Sequence, residues 1–505
     1  MGAKATIAII GGGASGAILL LRLNRVFGDQ MLVKIVDPDE HLGWGRAYST
    51  SDEAHLLNVS AENMSVFDEH PLDFVDWLKA QGHEPHQIPT WPFVPRAWFG
   101  SYLSQKIAEV PTTRYQHIGA RALSLRRKAG IWFVKTDIDH VVEADGVVIA
   151  TGFEKTLSST LLKTATSTAL AWVIQPYDTK KLNEIGASDS VVIVGTGLTA
   201  IDVYRQLRKH TAGKIHFISR HGFLPLRHPN ENLESEIRLP RLNGFSPIQI
   251  FQTLRAFEKT RIISWIQIVN QVRRQSGDIW RAWSPRERGQ FFRHLKTYWE
   301  ISRHRMPSFV ADELLQDAAN GRVQIHPGRI ISTKAAGTQI QMQFQPRGTT
   351  TAAELLCEWI ILATDSKIEE SLDIRQVKMA VKKSQHGLGY VNIGAGNLWL
   401  LGPSAKASLW ESTAVPEIVS QALVISKQII SAFHDQNENI FTVHPMAVGQ
   451  TYWQHLTGAL GYTLTFAKTV IILGIHALLP FLFADYASNR VRDLTRLFNK
   501  RRLKK

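Results

Sequence analysis

Three glycines and one acid carry the clearest chemistry in this chain. Gly11, Gly13 and Gly16 stand at G-x-G-x-x-G spacing in ATIAIIGGGASG, and Asp37 follows 21 residues after Gly16. In such a pattern the first glycine permits a tight turn. The second lets backbone approach a pyrophosphate, and the third lets a helix pack closely on a strand. Phosphates then meet the free N–H groups of the helix N-terminus, and a carboxylate at Asp37 would accept hydrogen bonds from ribose hydroxyls. The pattern recurs as G-x-G-x-x-A at Gly195, Gly197 and Ala200 in DSVVIVGTGLTAID. Here the following strand ends in Ser219 and Arg220 rather than an acid. A hydroxyl and a guanidinium favour a 2′-phosphate, because guanidinium pairs bidentately with phosphate. The first site therefore reads as one for FAD and the second as one for NADPH, with NADH less favoured. The plain alternative for Arg220 is an exposed arginine at a strand end.

Around these residues, Ile7–Ile10 and Met31–Val36 are short β-branched apolar runs, and Ala17–Phe27 between them reads as a helix. ADGVVIATG, Ala144–Gly152, reads as a buried strand whose Thr-Gly turn returns Gly152 to the ligand edge. His41–Phe67 is a long loop with Gly43 and Gly45, and long ordered loops tend to be functional. Apolar residues at helical spacing and nine Lys/Arg within Arg273–Arg305 mark Glu231–Ala319 as an all-helical insertion. Strands resume over Gln324–Asp365. NLWLLGP, Asn397–Pro403, is a last strand, followed by a helix over Val415–Ser431. The expected architecture is α/β, with two Rossmann-like nucleotide-binding domains, the second inserted in the first. The first domain would comprise 1–155 and 370–432, the second 156–369, and a tail 433–505.

The chain has 505 residues, is 44% hydrophobic and has a net charge of +14. That length allows two or three domains with substantial cores. Its single cysteine, Cys357, excludes an intrachain disulfide and the reductases that need a redox-active cysteine pair. No basic leader with a cleavage site precedes the first strand, so the expected location is cytoplasmic. Half of the charge excess lies in Arg490–Lys505, a terminal run without a nucleic-acid motif. His83, His86, His294 and His304 lack partners at metal-ligand spacing, so no metal site is expected.

Longer blocks carry a resemblance. GGGASG, GWGRAYS with HLLNVSAENMS, PRAWFGSYL, GTGLTAID, RRQSGDIWRAWSPRERGQFFRHLKTYWEISRHRM and LGPSAKASLWESTAVPEI span roughly residues 5–430. Together they resemble the two-dinucleotide FAD–NAD(P)-binding family that includes flavin-dependent urate hydroxylases and nitrosuccinate-forming amine oxygenases. The resemblance implies bound FAD, reduction by NAD(P)H, and a monooxygenase-like or oxidase-like reaction. The chain departs from the family at Asp365, where glycine is usual. By motif position, Gly43–Ser65 should pass near the isoalloxazine. Asn58 would then face the ring edge, and Trp44 would pack on the ring or else in the core. The helix opening at Thr413–Glu417 would offer N–H groups to the reduced ring. Arg96 reads as a phosphate contact or a surface arginine. Arg303 and His304 would suit an anionic substrate or NADPH phosphates, or form a charged helical face.

Gly461–Ala484 is apolar except for Lys468 and His476, and Pro480 interrupts it. Membrane-associated, body-buried and oligomer-contact readings compete for this C-terminal helix. The basic end favours a membrane surface through Tyr462–Lys505. The expected activity is a flavoprotein monooxygenase on a small polar or anionic amine or heterocycle. The alternatives are a membrane-surface NAD(P)H:quinone-type reductase and a flavin-binding protein without turnover.

Overall fold

The computed structural model describes residues 4–152, 171–229, 238–364, 396–405, 409–433 and 451–479. The first sheet grows from β1 (Ala5–Ile10), whose four buried C-terminal residues alternate between two cores. Ile7 and Ile9 face one, Ala8 and Ile10 the other. Both faces are covered, so the strand reads as a continuous apolar run. β1 pairs in parallel with β2 (Met31–Val36) and β7 (Gly146–Ile149). Outside these lie β3 (Tyr115–Ile118) and β15 (Leu398–Leu400), giving the order β15-β7-β1-β2-β3. Helices α1 (Ala14–Phe27), α4 (Arg96–Ala108) and α12 (Val415–Phe433) contribute to the core on one face. A small antiparallel sheet of β4 (Ala122–Lys128), β5 (Ile131–Thr136) and β6 (Val141–Ala144) contributes to the core on the other. Its first turn is Ala129-Gly130, both with positive φ. Between β2 and α4 lie two short helices, α2 (Gly45–Tyr48) and α3 (Asp73–Ala80).

The second sheet has seven strands. β9 (Val191–Val194), β10 (Ile215–Ser219) and β14 (Trp359–Leu362) repeat the parallel β1, β2, β7 arrangement. β8 (Val173–Ile174) pairs at one edge. β11 (Val323–Ala336), β12 (Gln339–Pro346) and β13 (Ala353–Cys357) continue from β10, the last two antiparallel. After β8 comes the short α5 (Thr179–Leu182). Helix α6 (Leu198–His210) follows β9 as α1 follows β1. Between β10 and β11 stand α7 (Pro247–Lys259), α8 (Trp265–Ala282), α9 (Pro285–His294), α10 (Lys296–Arg303) and α11 (Ser308–Ala319). This helical insertion builds its own core from Ile268, Val272, Ile279, Trp280, Trp283, Phe291 and Trp299. Asp365 and the segment 370–395 lie outside the described residues. Last comes α13 (Tyr452–Leu478), whose 27 residues begin at a Thr451 capping box.

Candidate functional site: two glycine turns and the loop between them

The two glycine turns are built alike. Gly11 N donates to Val36 O at 3.0 Å, and Gly195 N to Ile218 O at 2.8 Å. Both glycines hold positive φ, 103° and 121°. A Cβ on Gly11 would stand 2.5 Å from Ala150 O, and one on Gly195 would stand 2.4 Å from Ala363 O. Each turn therefore presses on the residue just past the paired returning strand, where only glycine fits. The third positions differ. A Cβ on Gly16 would lie 2.0 Å from Gly11 O, whereas Ala200 carries its Cβ fully buried.

Helices α1 and α6 begin at Gly13 and Gly197 with no side-chain cap. Helices α7, α8 and α9 instead start with capping boxes from Ser246, Ser264 and Ser284. The first N–H groups after the glycine turns are thus left for an anion, and the cradle fits a pyrophosphate. Asp37 Oδ2 accepts from Gly12 N at 2.5 Å and Oδ1 from Asp39 N at 2.8 Å. The acid is fixed against the first turn, at the end of β2. Gly152 holds φ 71° with open space where a Cβ would be, and neighbouring Thr151 Oγ1 lies 3.2 Å from Ser404 Oγ.

At the second turn, Thr196 Oγ1 donates to Ser219 Oγ at 3.1 Å and Gly222 N donates to the same oxygen at 3.0 Å. Arg220 is exposed beside them. Arg347, on the β12–β13 connection, donates to His221 Nδ1 at 2.7 Å. Burial, then Arg347 and Arg220, hold the His221 imidazole below its usual pKa range. A second guanidinium thus stands by the predicted phosphate position. No local signal reports Arg347, because a distant hairpin delivers it.

The loop after β2 folds onto the first turn. Gly43 N donates to Gly12 O at 2.8 Å, and a Cβ on Gly13 would stand 3.3 Å from Gly45 Cα. The Trp44 ring lies against α4, where a Cβ on Gly100 would be 2.9 Å away. One face of the indole is therefore spent on packing. Further along, the loop is tied to the second module. Lys209 pairs with Asp52 at 3.1 Å, and Arg205 donates to Ala54 O at 2.5 Å. Arg96 donates to Leu56 O at 2.9 Å and pairs with Asp202 of α6 at 2.8 Å. Arg96 is thus neither a surface arginine nor free for a phosphate. Its partner is a buried carboxylate on the helix behind the second turn, which sequence spacing could not reveal. Asn58 O accepts from His228 Nε2 at 3.1 Å. Burial pushes the His228 imidazole down to about 4, so it is neutral and donates through Nε2. A cavity of about 20 Å³, room for one water, lies between the modules, with Asn58, Arg96, Asp202 and Arg205 in its lining.

Thr413 is half-buried two residues before α12. Glu417, in the first turn of α12, pairs with Arg273 at 2.5 Å and with Arg303 at 3.0 Å. Arg303 also pairs with Glu411 at 3.4 Å, and Trp299 Nε1 donates to Glu411 at 2.6 Å. Burial alone would raise the Glu417 carboxyl, but the two guanidiniums outweigh it and hold it low. Arg303 therefore clamps the insertion to α12. His304 caps α10 and pairs with Glu300 at 3.3 Å.

Residues 8–154 match the FAD-NAD(P)-binding family. Residues 438–501 match a separate family of unknown function (DUF6356). No curated protein matches the chain. Solved structures share the fold. The ornithine N-hydroxylase of Kutzneria sp. 744 aligns with TM-score 0.59 and 12% identity, over 85% of this chain and 99% of that one. The cadaverine monooxygenase of Erwinia amylovora, bound to FAD, gives 0.62 and 12%, over 86% and 100%. The L-lysine 6-monooxygenase of Pseudomonas syringae gives 0.56 and 12%, again over 86% and 100%. At these identities the likeness is one of fold.

Proposed function

We propose that the chain is an FAD-dependent, NADPH-using monooxygenase acting on a small polar or anionic amine or heterocycle. The observation that carries this reading is the pair of glycine turns, each opening an uncapped helix, with one loop tied to both modules. The shared fold with structures named as ornithine, cadaverine and lysine monooxygenases supports it. The motif resemblance to urate hydroxylases and nitrosuccinate-forming oxygenases supports an amine or heterocycle. FAD and NADPH, when bound, supply the hydride and oxygen chemistry. Gly11, Gly13 and Gly16 cradle the first pyrophosphate, with Asp37 at the ribose. Gly195 and Gly197 cradle the second, with Arg220 and Arg347 at the 2′-phosphate.

The exposed apolar face of α13 favours a second reading, a quinone-type reductase at the membrane surface. On either reading the tail attaches the protein to the cytoplasmic membrane face. Purified protein should be yellow with FAD. Screening amines and heterocycles for substrate-dependent NADPH oxidation, with oxygen and with quinones as acceptors, separates the two readings. Gly13→Val should abolish FAD retention, because the new side chain meets Gly45 and the pyrophosphate space. Colourless wild-type protein that takes up no FAD on titration would overturn both.

A further inference from the structure

Helix α13 is arranged inside out. In water a helix buries its apolar stripe and wets its polar one. Here Thr469 is 6% exposed, and Thr465, Ile472 and His476, at the same helical face, are partly covered. Ile472 is an apolar member of that face, and Phe466 and Leu473, three residues before and four after Thr469, border it. Leu464, Ile471 and Leu478, seven residues apart on the far side, are 70%, 64% and 83% exposed. Trp453, Leu460, Phe466, Val470 and Leu473 extend this apolar arc. A lipid hydrocarbon phase is the environment that suits such a surface.

The helix is about 40 Å long, enough to cross a bilayer. Charge argues against crossing. Lys468 is three residues past the helix midpoint, about 4.5 Å along the axis, where a span would hold it at the centre of the hydrocarbon. Residues 428–467, ahead of it, hold no Lys or Arg, whereas Arg490–Lys505 holds eight. Basic segments flanking a span stay on the cytoplasmic side. A crossing helix would then export the nucleotide-binding body, away from intracellular NADPH.

We propose that α13 is a one-leaflet anchor, lying in the membrane plane on an anionic surface. Its apolar arc enters the acyl boundary. Its Thr465–Thr469–His476 face, with Lys468 beside it, turns away from the lipid. The body and the basic terminus remain on one side, and anionic headgroups attract the terminus. This placement rests on the proposed use of NADPH.

The test uses full-length protein with a different epitope tag at each terminus in a bacterial host. The protein should sediment with membranes. Protease should remove both tags in inverted vesicles and spare both in intact spheroplasts. Removal of either tag in spheroplasts, with its protection in inverted vesicles, would overturn the in-plane placement while leaving membrane attachment standing. Wholly soluble protein would overturn both, and its flavin content, read by absorbance, would report separately on FAD binding. Purified protein should also bind phosphatidylcholine vesicles about tenfold or more weakly than vesicles containing phosphatidylglycerol. Equal binding to both would overturn the anionic preference.

Discussion

At the scale of single residues, the site depends on charges placed where each has one partner set. Arg220 and Arg347 supply two guanidiniums near the end of β10. Arg220→Asp should raise the KM for NADPH roughly ten- to hundredfold and spare NADH, since one charge-assisted contact contributes about 1.5–3 kcal/mol. Initial rates with both cofactors check this, and equal use of NADH and NADPH by wild type would oppose it. His228 gives a pH signature. Its pKa is about 4 in the folded chain and about 6.5 when unfolded. The unfolded state therefore takes up protons first, so this stability is complete above pH 6.5 and declines as pH falls toward 4. The ceiling is about 3 kcal/mol. Thermal melts from pH 7 to pH 4.5 should show a decline that His228→Asn reduces.

At the scale of elements, the sequence pattern and the structure meet closely where periodicity is strong. Met31–Val36 is read as a strand and found as one. The helix after Gly16 in fact starts at Ala14, because its first turn is part of the phosphate cradle. The duplication of Gly11 at Gly195 extends to the carbonyls each touches, Ala150 and Ala363. What the pattern lacks is anything set by long-range approach. Arg96 and Arg303 look like ordinary helix arginines until Asp202, Glu411 and Glu417 arrive from other elements. Trp44 likewise takes its packing from Gly100 of α4. The Arg303 clamp holds α10 against α12, so its loss is an element-scale event. Arg303→Ala leaves Glu411 and Glu417 buried short of one partner and should cost about 3–5 kcal/mol. Calorimetry should show a lower Tm, whereas Arg227→Ala, at an exposed pair with Asp312, should leave it nearly unchanged.

At the scale of the whole molecule, tail and body carry separate sequence signals. Every nucleotide motif precedes residue 434, and the tail matches a family of its own. Deleting residues 451–505 should leave FAD bound and move the protein from the membrane fraction to the soluble one. Lipid burial of each Leu, Ile or Phe contributes about 1.5–3 kcal/mol, so losing the whole arc should be decisive. Aggregation or loss of flavin in the truncated protein would show that the helix covers the body instead. Within the body, the stitch of Arg96 to Asp202 has a kinetic consequence. Swinging one module away from the other would break the Arg96–Asp202 and Lys209–Asp52 pairs and the Arg205 hydrogen bond to Ala54 O in one event. In a cycle of the kind proposed, with these contacts kept, the nicotinamide ring itself would move in and out, on the timescale of a ligand's departure, while the two halves keep still.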